Sequence, residues 1–321
     1  MHAIDSAITK VGYELIFPGG DAEVLGLTMV RHRLRAHVPY PDFEVAVRSM
    51  DKLASMEPAE RAGLSPPRTV TATDATLESA ALPVVVKASL HWNPGTASAP
   101  ARLNAMVAST RAAARKRVAE ILVAGGHPLL QEHVRGTHLA HVALIGQEGE
   151  VVAQFQQRGI GTWPSAAGVW TRAETVPLDT ELAQRSTHFL QELGWRGLVQ
   201  LQFLVPEGGR PRLIDLNGRF YASLGLAVAA GLDLPVMWAG LDRGRGLGQA
   251  HTTRAGTRYQ WFEGDLRRAL AAARGERLRE LSSCIRYRRG AIDSLWSRDD
   301  PAPGLRWLAS AVRSAVDRLW G

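Results

Sequence analysis

Three polar residues at the end of one candidate strand have the types and spacing of a cation site. Asp215, Asn217 and Arg219 stand two apart, so along an extended strand their side chains leave from one face. Gln200 and Gln202 share a face on the preceding strand, and the turn between the strands can place Gln202 opposite this row. A carboxylate with amide oxygens suits a hard cation such as Mg²⁺, and an Arg beside them can neutralise phosphate.

These residues need a hairpin to position them. Residues 198–205 alternate apolar and polar, residues 207–209 read Glu-Gly-Gly, and residues 212–216 form a return strand. The same pattern also fits the exposed polar face of a surface hairpin. Residues 222–231 are small, apolar and nearly uncharged, which favours a buried helix or turn beside the polar row, where polar groups are costly unless they are satisfied.

Residues 213–235, LIDLNGRFYASLGLAVAAGLDLP, resemble the closing motif of the ATP-grasp ligases, in which a carboxylate, an Asn and an Arg are each separated by one residue. The resemblance implies an α/β (α+β) fold of two subdomains that hold ATP between them. Asp215, Asn217 and Gln202 would then bind Mg²⁺ or Mn²⁺. Arg219 would hold phosphate and steady the transferring group. Most of the family has Glu in place of Gln202, so this metal site carries less negative charge.

Lysine is rare in this chain, with 4 among the 38 Lys and Arg residues. Each lysine is therefore considered as a position where a compact ammonium group is needed in place of a guanidinium group. Lys52 is predicted on a helix that Ser49 caps and that breaks near Gly63, and Lys87 ends the β-branched run LPVVVKAS. In ATP-grasp enzymes a similar Asp-Lys and a strand Lys reach ATP phosphates. Each Lys by itself also fits a solvated surface charge, but a charge on a half-buried strand needs an anion or a water-filled cleft.

Residues 128–136, PLLQEHVRG, are predicted to form an apolar strand that runs into polar residues. The segment resembles the linker by which ATP-grasp enzymes bind adenine, where backbone N–H and C=O groups form hydrogen bonds with the edge of the base. The resemblance assigns this role to Gln131, Glu132, His133 and Val134. An edge strand with charged ends is the alternative interpretation of the same residues.

Two further segments are compared with the family. Residues 156–176 resemble a part of carbamoyl-phosphate-synthase-like members that carries a basic residue toward substrate or phosphate. Arg158 is the matching position, with Glu174 as a candidate local partner. Residues 91–100, HWNPGTASAP, stand where the family folds a loop over the phosphates, although they contain a single Gly.

The chain is predicted to divide into three regions. Residues 1–48 resemble a remnant of the Rossmann-like domain that precedes the ATP-grasp domain, and a truncated or atypically short start is expected. Residues 49–240 would form the ATP-grasp domain, with a small subdomain over 49–127 and the linker and metal-binding subdomain over 128–240. Residues 241–321 would form an Arg-rich, mostly helical extension.

Local patterns predict individual elements outside the main hairpin. Residues 13–17 are predicted as a strand, followed by a Pro-Gly-Gly-Asp turn and a helix from Ala22. Residues 104–123 read as a helix, and residues 258–273 as a strand turning into a helix. The last helix, residues 305–320, is expected to place an apolar stripe against its own domain, with binding to a membrane surface as the alternative.

Composition limits the class of protein. With 321 residues, 45% hydrophobic and 21% charged, the chain can hold two compact globular domains. The single cysteine, Cys284, excludes an internal disulfide framework and fits a reducing cytoplasm. No apolar run approaches the ~20 residues that a bilayer requires, and no secretory signal is evident. A cytoplasmic location without a transmembrane segment is therefore expected.

The net charge of +7 comes from residues 242–321, where 16 Arg stand against 9 acidic residues. Solvated helical faces are the favoured explanation of this excess, and contact with nucleic acid or anionic lipid is the alternative. No aromatic-basic motif accompanies the excess, so no nucleic acid partner is expected. The sequence also lacks the GxxxxGK and GxGxxG phosphate loops. A nucleotide must therefore be held in another way.

Together with the resemblance, these features predict a ligase that uses ATP and Mg²⁺ to activate a carboxylate as an acylphosphate, which an amine then attacks. The expected partners are a small-molecule carboxylate and amine, with a homodimer or a partner enzyme as further possibilities. The alternative is a degenerate ATP-binding module that acts as a regulatory or partner-binding subunit.

Overall fold

A computed structural model describes residues 2–92, 103–164, 168–244, 250–297 and 299–320. Its helices are α1 His2–Val11, α2 Asp21–Val30, α3 Phe43–Met50, α4 Met56–Arg61, α5 Asp74–Ser79, α6 Arg111–Val123, α7 Thr180–Leu193, α8 Leu224–Ala229, α9 Leu234–Asp242, α10 Phe262–Ala271, α11 Arg277–Arg288 and α12 Ala302–Trp320. Its strands are β1 Thr69–Thr71, β2 Val84–Ala88, β3 Met106–Ala108, β4 Pro128–Glu132, β5 Thr137–Ile145, β6 Val151–Trp163, β7 Val169–Val176, β8 Gly197–Val205, β9 Arg212–Asn217, β10 Arg258–Gln260 and β11 Ala291–Asp293. This mixture confirms the predicted α/β class.

The strands form two sheets. The small sheet has the order β1-β4-β2-β3 and is antiparallel throughout. The large sheet has the order β11-β10-β7-β6-β5-β8-β9 and is antiparallel except for the parallel pair β10 and β11. Helices α5 and α6 cover the small sheet with a core of their own, built around residues such as Leu77 and Ile121. The small sheet thus has a core separate from the main core on the large sheet, as a fold of two subdomains requires, and a third cluster around Trp170 and Tyr259 packs on the large sheet.

The predicted hairpin is present as β8 and β9. Gln202 pairs with Asp215, and Gln200 pairs with Asn217, so the polar side chains of both strands lie on one face. The register shifts between Gln202 and Phe203, which is the signature of a β-bulge. The bulge changes which residues of β9 share a face with those of β8, and it leaves the polar row intact.

The opposite face of β8 belongs to the main core. Leu201 and Phe203 are fully buried there, together with Phe189 and Leu193 from α7. Helix α7 begins where the Asp179 side chain accepts a hydrogen bond from the N–H of Leu182, and it ends at Gly194 in the left-handed conformation (φ +72°). The alternation of β8 therefore buries one face in the core and turns the other toward the small sheet.

Two predicted elements near the N-terminus are wrong. Residues 13–17 do not form a strand, because Leu15 makes only a single bridge with His37, and the prolines at 39 and 41 cannot donate to a longer ladder. Ser49 does not cap a helix that carries Lys52. It lies inside α3, which ends at Met50, and Lys52 stands in the turn before α4.

The remaining predictions for local elements had mixed outcomes. The predicted helix over residues 104–123 starts only at Arg111, because Thr110 caps it and β3 precedes it. The strand and helix expected over residues 258–273 are confirmed as β10 and α10. The last helix is present as α12, but most of the side chains of its predicted stripe lie outside the described residues. Within the described ranges, no helix combines the length and apolar character that crossing a bilayer demands.

Replacement of Gly218 by a larger residue is expected to destabilise the fold, because the backbone at Gly218 passes directly over the Trp195 ring. A Cβ on Gly218 would collide with the Trp195 ring, which is 1% exposed and has no room to move. Overpacking of this kind costs roughly 1–3 kcal/mol, so Gly218→Ala should lower the midpoint of urea unfolding.

Gly225→Ala is the matched control for this substitution. Gly225 lies in α8, and its added Cβ would meet only Ile292 at 3.6 Å, an ordinary van der Waals distance. Ala is favoured over Gly in helices by about 1 kcal/mol, so this variant should be unchanged or more stable. Equal midpoints for the two variants would contradict the proposed steric role of Gly218.

Candidate nucleotide and cation site

A cavity of about 650 Å³ lies between the two sheets. Lys87 and Gln131 line it from the small sheet, and Gln202, Asp215 and Asn217 line it from β8 and β9. The cavity lies on the face of β8 opposite the main core, where the alternation of the strand places polar side chains. The structure therefore brings together residues that the sequence separates by more than a hundred positions.

Lys52 and Lys87 both lie beside Asp215 in the wall of this cavity. Lys52 Nζ is 3.4 Å from Asp215 Oδ1, and Lys87 Nζ donates a hydrogen bond to the carbonyl oxygen of Ile214 at 3.1 Å. Both lysines are less than a tenth exposed. When Lys87 is protonated, two buried ammonium groups lie beside one carboxylate, and an anion in the cavity would balance the excess positive charge.

The turn after α3 positions Lys52 without a helix. Asp51 Oδ1 accepts hydrogen bonds from the N–H groups of Leu53 and Ala54, and the N–H of Lys52 donates to the carbonyl oxygen of Ser89. Asp51 thus closes a local turn, and the backbone is tied to the segment that follows β2. In the Asp-Lys pair, Asp51 therefore stabilises the turn and Lys52 lines the cavity.

Burial and neighbouring charges shift the pKa values of this cluster. Burial lowers the pKa of Lys87 to about 7, and the charge of Lys52 acts in the same direction while Asp215 opposes it. Burial raises the pKa of Asp215, but the positive charges of Lys52, His91 and Lys87 outweigh it, so this pKa lies below its usual range. Asp215 is therefore ionised at neutral pH.

The amide row and Arg219 are joined by hydrogen bonds. Arg219 Nη2 donates to Asn217 Oδ1 at 2.9 Å, and Gln202 Nε2 donates to Gln200 Oε1 at 3.1 Å. Asp215 Oδ1 is buried and makes no hydrogen bond with the described residues. The polar row thus presents one carboxylate oxygen and the carbonyl oxygen of Gln202, while the Asn217 oxygen already accepts from Arg219.

Asp21 and His91 also belong to the site, although Asp21 was not predicted and His91 was predicted only as part of the segment 91–100. Arg219 Nε donates to Asp21 Oδ1 at 2.7 Å, and His91 Nδ1 lies 2.7 Å from Asp21 Oδ2. Burial raises the pKa of Asp21, but the contacts with His91 and Arg219 lower it by more than burial raises it. The pKa of Asp21 therefore lies well below its usual range. Asp21 lies 198 residues from Arg219, so only the fold reveals the contact.

The predicted adenine linker lies at the edge of the cavity. Gln131 is buried and donates to Thr69 Oγ1 at 2.8 Å, and the Glu132 carboxylate accepts from Arg212 at 3.0 Å. His133 and Val134 also line the cavity. Residues 133–136 make no backbone hydrogen bond with other described residues, so their N–H and C=O groups are available to the edge of a base.

The structure does not bring Arg158 to this cluster. Arg158 is in register with Leu139 and Phe203 across the large sheet, whereas Gln202 is the next residue along β8. Successive side chains leave a strand on opposite faces, so Arg158 points away from the cavity. It forms a salt bridge with Glu174, the partner named in the sequence analysis.

The segment expected to close over the phosphates falls mainly outside the described residues. Of residues 91–100, only His91 and Trp92 are described. His91 lines the cavity. Within the described part of the chain, no group of three or more His, Cys, Asp or Glu side chains could hold a metal ion.

Solved structures share this architecture. Biotin carboxylase from Campylobacter jejuni, in a complex with beta-gamma-ATP, has a TM-score of 0.63 and 17% identity over 80% of this chain and 60% of its own. N5-carboxyaminoimidazole synthetase from Staphylococcus aureus has a TM-score of 0.58 and 12% identity over 77% of this chain and 65% of its own. The chain has the ATP-grasp fold.

A third structure with this ATP-grasp architecture is the biotin carboxylase domain dimer of 2-oxoglutarate carboxylase from Hydrogenobacter thermophilus, complexed with MgADP, ADP and bicarbonate. Its TM-score is 0.63, with 16% identity over 80% of this chain and 60% of its own. The chain thus spans about 60% of the length of the carboxylase chains that it matches. No family model and no curated protein matches the sequence.

The pKa of Lys87 gives a test of its burial in the ATP-grasp cavity. Because the folded pKa of about 7 lies below the ordinary lysine pKa of 10.5, the unfolded chain binds more protons between these two pH values. The free energy of unfolding should therefore rise with pH across this window, with each unit of pKa shift corresponding to about 1.4 kcal/mol. Lys87→Met should be more stable than the parent at pH 7.

This advantage of Lys87→Met should shrink as the pH rises toward 10, which urea unfolding at several pH values would measure. Lys116→Met is the control, because Lys116 is exposed on α6 and removing it should give a difference that does not change with pH. A constant difference for Lys87→Met as well would show that this ammonium is hydrated in the folded protein.

Proposed function

We propose that this protein is an ATP- and Mg²⁺-dependent ligase that activates a carboxylate as an acylphosphate for attack by an amine. The observation that carries the proposal is the placement of two buried lysines in a cavity between two sheets, with the Lys52 ammonium 3.4 Å from the Asp215 carboxylate and Lys87 Nζ donating to the Ile214 carbonyl oxygen. Excess buried positive charge beside oxygen donors is suited to nucleotide phosphates. The ATP-grasp fold supports this assignment.

In this proposal the two lysines have one role and Arg219 has another. Lys52 and Lys87 bind phosphate oxygens and neutralise charge that develops during transfer. Arg219 steadies the transferring group, because its hydrogen bonds to Asn217, Asp21 and the Phe220 carbonyl oxygen hold the guanidinium in place. Those bonds use one N–H of each nitrogen and leave two N–H groups for a ligand.

The donor set fits one hard cation. Asp215 Oδ1 has no hydrogen bond among the described residues, and the carbonyl oxygen of Gln202 lies on the same face, with Asn217 next in the row. Mg²⁺ prefers such oxygen ligands and keeps water and phosphate in the rest of its shell. Bound there, the cation would supply positive charge that neutralises phosphate. Asp215, Gln202 and Asn217 would hold it.

The linker and the remaining partners complete the proposal. Gln131, Glu132, His133 and Val134 would bind adenine, with the free backbone groups of residues 133–136 reading the edge of the base. The carboxylate and amine substrates would be small molecules. A homodimer and a partner enzyme stay predictions.

A degenerate ATP-binding module is the second candidate function. The observation that favours it is the internal pairing of the charged groups. Asp215 already has Lys52 beside it, and Arg219 already has Asp21. Such a module would bind the nucleotide and release no ADP when an amine and a carboxylate are supplied.

Thermal unfolding with Mg²⁺-ATP, with Mg²⁺-GTP and with neither tests nucleotide binding. A ligand at 100 times its dissociation constant adds about 2.7 kcal/mol to the free energy of unfolding. ATP should raise the unfolding temperature and GTP should not, because the linker reads adenine. Equal shifts with both nucleotides would exclude base recognition, and no shift with either would exclude nucleotide binding.

Asp215→Asn tests the cation site directly. The substitution keeps the volume and removes the negative charge, so Mg²⁺-dependent ADP release, measured with a panel of carboxylates and amines, should be lost. Glu207→Gln is the control, because Glu207 lies exposed in the turn of the same hairpin. Full ADP release by Asp215→Asn would remove this residue from the metal site.

A further inference from the structure

A second cavity of about 550 Å³ adjoins the nucleotide cavity. The two cavities share His91, Arg219, Tyr221 and Ala222 in their walls. The second cavity is otherwise formed by residues 19–23 at the start of α2 and by Trp92 and Phe220. A ligand in the second cavity would therefore meet a ligand of the first across the His91 and Arg219 side chains.

The two cavities carry opposite charge. The described lining of the nucleotide cavity contains four Lys and Arg side chains (Lys52, Lys87, Arg135 and Arg219) against the carboxylates of Glu132 and Asp215. The second cavity contains Arg219 against the carboxylates of Asp21 and Glu23, and the His91 imidazole lines both cavities, so it does not alter the difference between them. Because unlike charges attract and like charges repel within a few ångströms, the first cavity favours anions and the second favours cations.

Glu23 supplies the unbalanced charge of the second cavity. Asp21 is already engaged by Arg219 and His91, so its charge is compensated. Glu23 has no salt bridge with another described residue, and its carboxylate folds back over Gly20 at the rim of the cavity. The charge at Glu23 is therefore available to a ligand ammonium group.

The remaining walls of the second cavity are apolar and fixed. Phe220 stacks on Phe17 with 5.6 Å between ring centroids and contacts Trp238 edge-on. Tyr221 is buried, and Trp92 is half-buried against the main core. Aromatic faces attract ammonium groups and apolar groups alike, so these walls suit a ligand with an apolar body and a cationic end.

We propose that the second cavity binds the amine substrate, and that this substrate is a primary amine on an apolar body, with its ammonium group at Glu23. The proposal rests on the proposed ligase function, because it supplies the acceptor for the activated carboxylate. The separation of charge keeps the amine out of the phosphate cavity and brings it to the shared wall of His91 and Arg219.

The test compares phenethylamine with 3-phenylpropanoate, which has a similar apolar body but a negative charge. Binding to the protein without nucleotide is followed by ligand-detected NMR titration. The amine should bind in the millimolar range and the acid should not. Glu23→Gln should weaken amine binding roughly tenfold, because it removes a charge-assisted hydrogen bond.

Glu44→Gln is the matched control, since Glu44 is also an exposed acid in the first turn of a helix but lines neither cavity. It should leave amine binding unchanged. Equal or tighter binding of the acid, no binding of the amine, or unchanged binding in Glu23→Gln would each overturn the proposal.

The result is separable from the test of the ligase function. An ATP-induced shift in unfolding temperature without amine binding would overturn only the assignment of the second cavity. Amine binding with neither an ATP-induced shift nor ADP release would overturn the ligase function and leave the amine site standing.

Discussion

Two buried lysines lie beside one carboxylate in the wall between the sheets, and the site depends on the excess of positive charge that arises when both are protonated. Taking charges out of water is costly unless their partners are close. Lys87 comes from the small sheet, and Asp215 comes from the large one, so the charges also tie the two subdomains together. The hydrogen bond from Lys87 to the Ile214 carbonyl oxygen crosses the same boundary. An anionic ligand would complete this arrangement.

Strand alternation decides which side chains can take part. On β8, Leu201 and Phe203 fill the core, while Gln200 and Gln202 face the cavity. The same alternation places Arg158 on the other side of the sheet, although its segment resembles one that carries a basic residue toward substrate in the ATP-grasp family. Because side chains alternate between the two faces of a strand, a shift of one residue along the strand moves a side chain from the cavity face to the opposite face.

Arg219 connects the ATP-grasp cavity to the start of α2. Its guanidinium bonds to Asn217 on one side and to Asp21 on the other, and Asp21 in turn holds His91. This chain of contacts forms the wall between an electropositive and an electronegative cavity. In the proposed ligase, this wall would let reactants of opposite charge approach each other from two sides, which would reduce the entropic cost of bringing them together.

The sequence by itself determined the hairpin, its polar row and the strand that carries Lys87, because alternation and turn residues are local signals. It did not determine the helix boundary at Lys52, where Asp51 closes a turn instead, or the face of Arg158. Only the tertiary structure decided that Asp21 and His91 join Arg219, because contacts between distant residues follow from how the sheets and helices pack, and no local pattern encodes them.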